Sequence, residues 1–495
     1  MYAQNEARTG KSGSYNYFFR LIGLILCIGA AVSVALTILN LIDLGIELSS
    51  RVILIAVVVD IALVIFPLWM FSSGRCDRNN FARFGCFALA GLMLFLNIFI
   101  SSYLSATTDF LEETYTGSGS SIASQGIIDY TVVAQRTAGV ELSEKNTVRA
   151  GIQSTDPCKT EAEDETKKLT AASFEEYDNL ATLISATEGD MLDIAVVQKA
   201  MLVAYAEYFP DSYDKLEVIA TFKAGSDKAQ TNTTAKVDVT KPFSIYVSGI
   251  DVFGDIDQVA RSDANILILI DPEHYKVLLI NTPRDYYVQL HGTTGYKDKL
   301  THAGVYGIEM SEQTIEDIYG LDIDYHVRIN FDTIVNLVDA MGGIVVDNPV
   351  AFANWGTGYK AGEIYLTGDY ALMYARSREG LKGGDNDRGE NQQRVIEAII
   401  KRITKPSVVI HYRDILTALS GTFRSNIPPK VITQLFSRQI SLGGDWTIEK
   451  MAARGRTEYR PTYSMGEKEL DVMIPDESSL VEIREAISAF MRGED

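Results

Sequence analysis

SIYVSGIDVFGDIDQVARSDANILILIDPEHYKVLLINTPRD, residues Ser244–Asp285, holds three short apolar runs: Ser244–Gly249, Ala264–Ile270 and Lys276–Ile280. They are rich in β-branched and aliphatic residues and bounded by turn formers, so they are predicted to be strands. Asp271, Pro272 and Glu273 supply turn chemistry between the second and third runs, and so short a loop forces those two strands antiparallel. If the first strand also runs antiparallel to the second, Asp251, Arg261, Asp263 and Arg284 fall at one end of the sheet. Two readings of that rim are open. Arginine forks bind phosphate oxygens in pairs, and hard carboxylate oxygens hold a divalent cation that bridges to phosphates. Alternatively, the four charges pair with one another and merely cap a sheet edge.

Two clusters downstream favour an anion. Arg376 and Arg378 in LMYARSR are two residues apart, which puts both guanidinium groups on one face if the chain is extended. The Gly/Asp-rich LKGGDND leads into a helix through Val395, Ile396, Ile399, Ile400 and Ile403, whose first turns carry Arg388 and Gln392 four residues apart. A helix N-terminus offers unpaired N–H groups and a favourable dipole to an anion. The competing reading has Asp387 capping that helix and Arg388 solvated. Ile334, Leu337, Val338 and Met341 form an apolar stripe at helical spacing, ended by Gly342 and Gly343 and followed by the strand IVVDNP; such a stripe is either ordinary core or the wall of a lipid slot. Lys299, His302 and the Gly304 turn follow the third strand. His302, with no second His at helical spacing, is expected at the surface or supporting its neighbours, not on a metal.

Upstream, Arg20, Arg51 and Arg83 each precede an uninterrupted apolar run of bilayer-spanning length, so three transmembrane helices are expected. Asp60 lies inside the second and must face another helix. Arg8, Lys11 and Arg20 before the first span, and Arg75, Arg78 and Arg83 before the third, belong inside; the N-terminus is then cytoplasmic and everything after about residue 106 extracytoplasmic. Cys158 is the one thiol left outside, so the outer domains hold without an intramolecular disulfide. A net charge of −20 argues against a general nucleic-acid binder. The domain plan is a cytoplasmic 1–16, three membrane helices in 17–106, a tether, small α/β accessory domain and linker in 107–240, and a catalytic domain in 241–495. In the accessory domain, Tyr130–Ala134, Thr147–Ile152 and Leu216–Thr221 are expected as strands and Phe174–Ala186 and Val196–Tyr208 as helices. The acidic run Glu161–Glu165 reads as a solvated face.

From Phe243 onward the chain resembles the LytR-CpsA-Psr family. GID ending at Asp251, RSD at 261–263, TPRD at 282–285, KLTHA at 299–303, VDAMGGIVV at 338–346, LTGDYALMYARSR ending at Arg378 and DNDRGENQQRVI ending at Ile396 stand in family order. The three spans and accessory segment are similar to capsule-type members. The resemblance implies an α/β/α fold with a central mixed sheet and an apolar lipid cavity. It also implies transfer of an anionic glycopolymer, teichoic acid-like or capsular, from a polyprenyl-pyrophosphate carrier to peptidoglycan at the membrane. Asp251 and Asp263 would hold Mg2+ (or Mn2+), and Arg261, Arg284, Arg376, Arg378, Arg388 and Gln392 would grip the pyrophosphate. Asp251, Asp263, Arg284 and Arg388 would carry the chemistry, and Ile334, Leu337, Val338 and Met341 would line the cavity. Glu390 stands where many members carry a basic residue. A polyprenyl-pyrophosphate hydrolase and a non-catalytic polyprenyl-phosphate-binding regulatory membrane protein are the alternatives, and no Walker A or GxGxxG loop competes.

Overall fold

The structure, a computed structural model, describes residues 2–43, 51–75, 79–114, 128–143, 145–154, 156, 158–225, 238–258, 260–378, 381, 385–405, 412–442 and 444–494. The tether around 116–121, the loop at 44–50, most of the linker between 223 and 241, and the loop at 382–384 lie outside them. The chain forms two compact units, Met1–Glu112 with Pro428–Gly444, and Glu113–Ile427 with Asp445–Asp495.

The first unit contains α1 (Tyr2–Asp43), α2 (Arg51–Ser72) and α3 (Asn80–Thr114), whose stretches Tyr17–Asn40, Leu54–Ser72 and Asn80–Ser102 are long and apolar enough to cross a membrane. Their outer faces expose large apolar side chains such as Ile25, Ile55 and Phe95. Small residues, Cys27, Ala30 and Ala90, are buried between the helices, which is how such helices close on one another when lipid removes the hydrophobic drive. Asp60 does find a partner inside: the Asn97 amide donates to its Oδ1 at 3.1 Å.

The second unit opens with a five-stranded sheet in the order β3-β2-β4-β1-β5, made of β1 (Ile128–Gln135), β2 (Thr147–Gln153), β3 (Ala171–Tyr177), β4 (Ile194–Gln198) and β5 (Leu216–Ala224). Its helices are α4 (Lys159–Leu169), α5 (Leu180–Glu188), α6 (Lys199–Tyr208) and α7 (Pro210–Tyr213). Two helices expected from spacing begin instead as strands: Phe174–Tyr177 belongs to β3 and Val196–Gln198 to β4. In both, a short strand runs almost directly into a helix, and a single apolar window blurs the change of period. The acidic run is a helix face, with Lys167 reaching Glu163 at 3.2 Å while Ala162 and Thr166 point inward. This layer is not an isolated domain. Leu183, Val197 and Tyr205 share one core with Val305, Met465 and Leu470 of the later chain.

The central sheet has the order β16-β11-β6-β7-β8-β17. β6 (Phe243–Ile250), β7 (Ser262–Asp271) and β8 (Lys276–Thr282) are antiparallel as their turn requires; the Asp271 carboxylate accepts from the backbone N–H of Glu273 and His274. A small ladder follows, β9 (Tyr287–Val288) with β10 (Asp298–Lys299), then α8 (Leu300–Ala303) and α9 (Ile308–Tyr319). β11 (Tyr325–Ile329) adds parallel to β6, which makes the sheet mixed. α10 (Phe331–Ala340) and β12 (Ile344–Asn348) lead to a hairpin of β13 (Phe352–Asn354) and β14 (Thr357–Tyr359). β15 (Gly362–Leu366) pairs with β12 and precedes α11 (Gly368–Arg376) and α12 (Asp385–Ile403). After α13 (Tyr412–Leu419) and β16 (Phe423–Ser425), and past α14 (Pro429–Leu442), which belongs to the first unit, β17 (Thr447–Ala452) completes the sheet parallel to β8. The antiparallel pair β18 (Gly455–Thr462) and β19 (Gly466–Pro475) and the helix α15 (Glu477–Met491) end the chain.

Strand periodicity explains the layers. Tyr246 and Leu267, which pair across β6 and β7, face α9 and α15 and pack with Ile315 and Ile483. Their neighbours Val247 and Ile266, also paired, face the other way toward α10–α12. The result is an α/β/α sandwich.

Gly304 marks a close approach between layers. A Cβ there would stand 2.4 Å from the backbone nitrogen of Ser262 and 3.0 Å from the carbonyl oxygen of Ala260. Gly304→Ala must therefore push α8 off the start of β7, at a cost of about 1–3 kcal/mol, and a thermal melt of the full chain is expected to show the loss as a lowered Tm.

Candidate active site

A cavity of about 460 Å3 opens at the C-terminal end of β6, between the sheet and α10–α12. Its mouth is lined by Asp251, Arg261, Asp263, Arg284, Arg376, Arg378, Arg388 and Gln392, and its interior by Val247, Ile266, Ile329, Ile334, Leu372, Val395 and Ile396. Every charged or polar residue singled out at the rim, contributed by segments more than a hundred residues apart, lines this one cavity.

The sheet positions the carboxylates. Between Gly249, which pairs with Ala264, and Ile250, which pairs with Ser262, the register skips one residue on β7, and that residue is Asp263. A bulge re-aims a side chain that regular pleating would fix. Beneath it, buried Tyr246, Ser248, Ser262 and Asn265 lock the segment: the Tyr246 hydroxyl donates to Asn265 Oδ1 at 2.6 Å, and the Ser248 and Ser262 hydroxyls lie 2.8 Å apart. Asp263 itself receives Arg284 Nη1 at 2.7 Å on Oδ2 and Thr301 Oγ1 at 2.9 Å on Oδ1. The KLTHA stretch thus acts as a brace. Lys299 donates to Asp285 at 2.9 Å, the backbone N–H of Thr301 donates to the Arg284 carbonyl at 2.8 Å, and His302 Nδ1 meets Asp298 Oδ1 at 2.7 Å. His302 is buried rather than at the surface, and with Asp298 it props this turn.

The helices bring the remaining cations. Arg376 ends α11 and reaches Asp251 Oδ1 at 3.4 Å, its guanidinium lying 4.2 Å from the Phe331 ring centroid. The expected extended chain through Arg376 is therefore a helix up to that residue, with Ser377 extended immediately after. Tyr370 through Arg376 winds because Ala371 and Tyr374 have a core to face and Leu372 faces the cavity. Both arginines still line the cavity. α12 begins at Asp385, so Asp387 stands in its first turn and does not cap it; Arg388 is only 6% exposed, and its Nη2 lies 3.4 Å from the Asp263 carbonyl oxygen. The close seat of this helix depends on Gly389, where a Cβ would meet the Asn281 amide at 2.2 Å, and on Gln393, which donates to the carbonyls of Leu279 and Met451 on β8 and β17. Glu390 pairs with Arg394 at 2.6 Å and does not line the cavity.

The apolar stripe divides. Ile334 lines the cavity, whereas Val338 and Met341 are fully buried in the core beside it with Val346, Phe352, Tyr374 and the cavity residue Val395, and Ile334 and Leu337 pack against that core. The rest of the wall is built by residues of β6, β7, β11, α11 and α12. Asn354 and Trp355 on the β13–β14 turn also line the cavity, and no pattern in the sequence singled them out.

Electrostatically, the rim carries five arginines against two carboxylates, and Arg284 and Arg376 lie directly against them. Burial, and Asp263 alongside, push the Asp251 carboxyl above its ordinary range, against the pull of Arg376, Arg261 and Arg284. A divalent cation relieves such a pair, and two carboxylates with room for phosphate oxygens and water form a donor set suited to magnesium. No group of three or more His, Cys, Asp or Glu residues suited to a metal occurs among the described residues.

Residues 212–483 match the LytR_cpsA_psr family. The chain belongs to that family. Among relatives of the LytR_cpsA_psr domain, the polyisoprenyl-teichoic acid–peptidoglycan teichoic acid transferase TagU of Halalkalibacterium halodurans is 32% identical over 230 residues, 46% of this chain and 75% of the relative. The transferase of the same name from Enterococcus faecalis is 36% identical over 205 residues, 41% of this chain and 66% of the relative. The crystal structure of TagV from B. subtilis is 30% identical, covers 52% of this chain and 99% of its own, and superposes with a TM-score of 0.44. The family match opens within the accessory layer, just ahead of β5.

Proposed function

We propose that this chain is a phosphotransferase that moves an anionic glycopolymer, of teichoic acid or capsular type, from a polyprenyl-pyrophosphate carrier to peptidoglycan. The observation that carries the reading is the single cavity whose charged mouth gathers five arginines and two carboxylates over an apolar interior. A pyrophosphate with a polyprenyl tail has that same division of charge and grease. Membership of the LytR_cpsA_psr family and relatives named as teichoic acid transferases support it.

In this mechanism the tail enters the apolar part of the cavity and the two phosphates meet the arginines. Arg261, Arg284, Arg378 and Arg388 hold the oxygens in place, and Arg376, fixed by the Phe331 face and Asp251, closes the rim. Asp251 and Asp263 would hold magnesium or manganese, which supplies Lewis-acid stabilisation of the phosphate oxygens when bound. A peptidoglycan hydroxyl oxygen then attacks the sugar-linked phosphorus in line, the bond from that phosphorus to the bridging oxygen breaks, and polyprenyl phosphate leaves. Charge grows on the bridging oxygen as that bond lengthens, and preorganised guanidinium groups meet it without reorganising. The proton that the hydroxyl loses passes to Asp251 or Asp263 or to water at the mouth of the cavity.

The membrane helices keep the domain beside a carrier whose tail does not leave the bilayer. With the arginine-rich ends inside, the N-terminus is cytoplasmic and the catalytic domain extracytoplasmic, where peptidoglycan lies. The test is product analysis with full-length protein in liposomes, lipid-linked polymer and peptidoglycan. A phosphodiester conjugate is expected; free polymer phosphate without conjugate would instead identify a hydrolase.

A further inference from the structure

α14 (Pro429–Leu442) stands apart from the catalytic layers. Its chain neighbours β16 and β17 are the two outer strands of the central sheet, yet α14 groups with the compact unit of the membrane helices. None of its described side chains joins the apolar cores of the second unit. Its sequence, PKVITQLFSRQISL, has apolar residues at 431, 432, 435, 436, 440 and 442, the recurrence of one helix face, with polar residues between them. Ile432 and Leu435 keep part of their surface exposed, so the chain does not fully cover that face. The surroundings are basic: residues 415–444 contain no Asp or Glu but carry Arg424, Lys430 and Arg438, in a chain whose net charge is −20. A partner that is greasy within and anionic at its surface is the interface of a bilayer.

The strand directions say which way such a helix turns the domain. β16 runs antiparallel to β11, and β11 parallel to β6, so β16 leads toward the end of the sheet where β6 begins. Thr447 pairs with Lys276, and Lys276 with Asp271, so β17 sets out from that same end. It is the end opposite the Asp251–Asp263 rim. Only residues 426–428 and 443–446 separate α14 from these strands, which ties the helix to that end by short links. Trp446 and Tyr275, with ring centroids 5.5 Å apart, sit there too, both partly exposed, as aromatic residues at a membrane interface are. We propose that α14 lies in the outer-leaflet interface, its apolar face among the acyl chains and Lys430 and Arg438 at lipid phosphates. The start of β6 then points toward the bilayer and the charged mouth away from it, on the side where an acceptor in the wall lies. The choice of leaflet rests on the extracytoplasmic placement proposed above.

Quenching of tryptophan emission by brominated phosphatidylcholine tests it, with the full-length protein in vesicles that also contain phosphatidylglycerol and no substrate present. Leu435→Trp and Ser437→Trp each add an indole, at positions about 200° apart round the helix. The emission added at 435 is expected to be quenched at least about threefold more strongly than that added at 437. Phe436→Trp, which exchanges one aromatic residue for another, takes the place of Leu435→Trp if that variant melts early. The emission that Trp355→Phe removes, from the mouth of the cavity, is expected to be one that bromine does not reach. Equal quenching at 435 and 437 overturns the seating, because a helix sunk in lipid or held clear of it has no lipid side. So does an indole at 435 that bromine leaves untouched, since the apolar face is then covered by this domain or by a second copy. Quenching of Trp355 overturns the orientation. With no carrier or acceptor in the vesicles, each result stands whichever reaction the cavity performs, and failure of the transferase reading shows only in the product analysis.

Discussion

Asp263→Asn is expected to lower glycopolymer transfer about 1,000-fold while leaving the chain folded. The size follows from the two services this carboxylate performs. Its negative charge fixes the Arg284 guanidinium at 2.7 Å, and it is one of two carboxylates available to a bridging cation. Asparagine keeps the volume and can still accept from Thr301, so the bulge and the buried Ser262–Asn265 lock beneath it survive. What goes is the charge, and with it the hold on both cation and arginine. The cost to stability should be no more than about 1–3 kcal/mol, that of weakening one charged hydrogen bond. Turnover of lipid-linked polymer, read together with a melt, separates the two. Transfer within threefold of the native rate would mean that the arginines alone suffice and that this carboxylate holds no cation the reaction needs.

The outcome at Asp263 bears on how much the chain announces in advance. The three strands and their directions were legible because each rule involved is local: period-two apolar runs, a turn too short for a crossover, and the ends to which Asp251, Arg261, Asp263 and Arg284 must then fall. The convergence of Arg376 and Arg388 on the same rim was visible only as charge in search of an anion, since nothing local says which helix docks on which face. Where local rules competed, tertiary structure decided. Arg376 proved helical because Ala371 and Tyr374 had a core to enter. Val338 and Met341 share periodicity with Ile334 but are enclosed in the core that Ile334 packs against and do not line the cavity. A stripe gives the buried face of a helix; it does not say what that face is buried against. Asn354 and Trp355 were invisible for a different reason. An N-W-G triplet suggests a turn, but a place on the cavity wall is a property of the packed chain and exists only once the cavity does.

Arg388 gives the sharpest test of that packed cavity, because its effect should exceed that of a chemically identical neighbour. Arg388→Ala is expected to lower kcat/KM for the lipid-linked donor about 100- to 1,000-fold, the range seen when one preorganised donor to a developing negative charge is removed. Arg378→Ala should cost about tenfold or less, because Arg378 is exposed and a solvated charge is screened. Arg388 is buried at the first turn of α12, where helix N–H groups add to its field, and Gly389 and Gln393 clamp that turn to β8 and β17. It therefore meets the phosphate already desolvated and already aimed. Arg388→Lys should recover only part of the loss, since a point charge cannot present two parallel N–H groups to one phosphate. The order native, Lys, Ala at 388, with the Arg378→Ala chain close to native, is the pattern that a fixed fork predicts. Equal losses at 378 and 388 would instead assign the effect to net charge at the mouth, and the positioning role of α12 would be wrong.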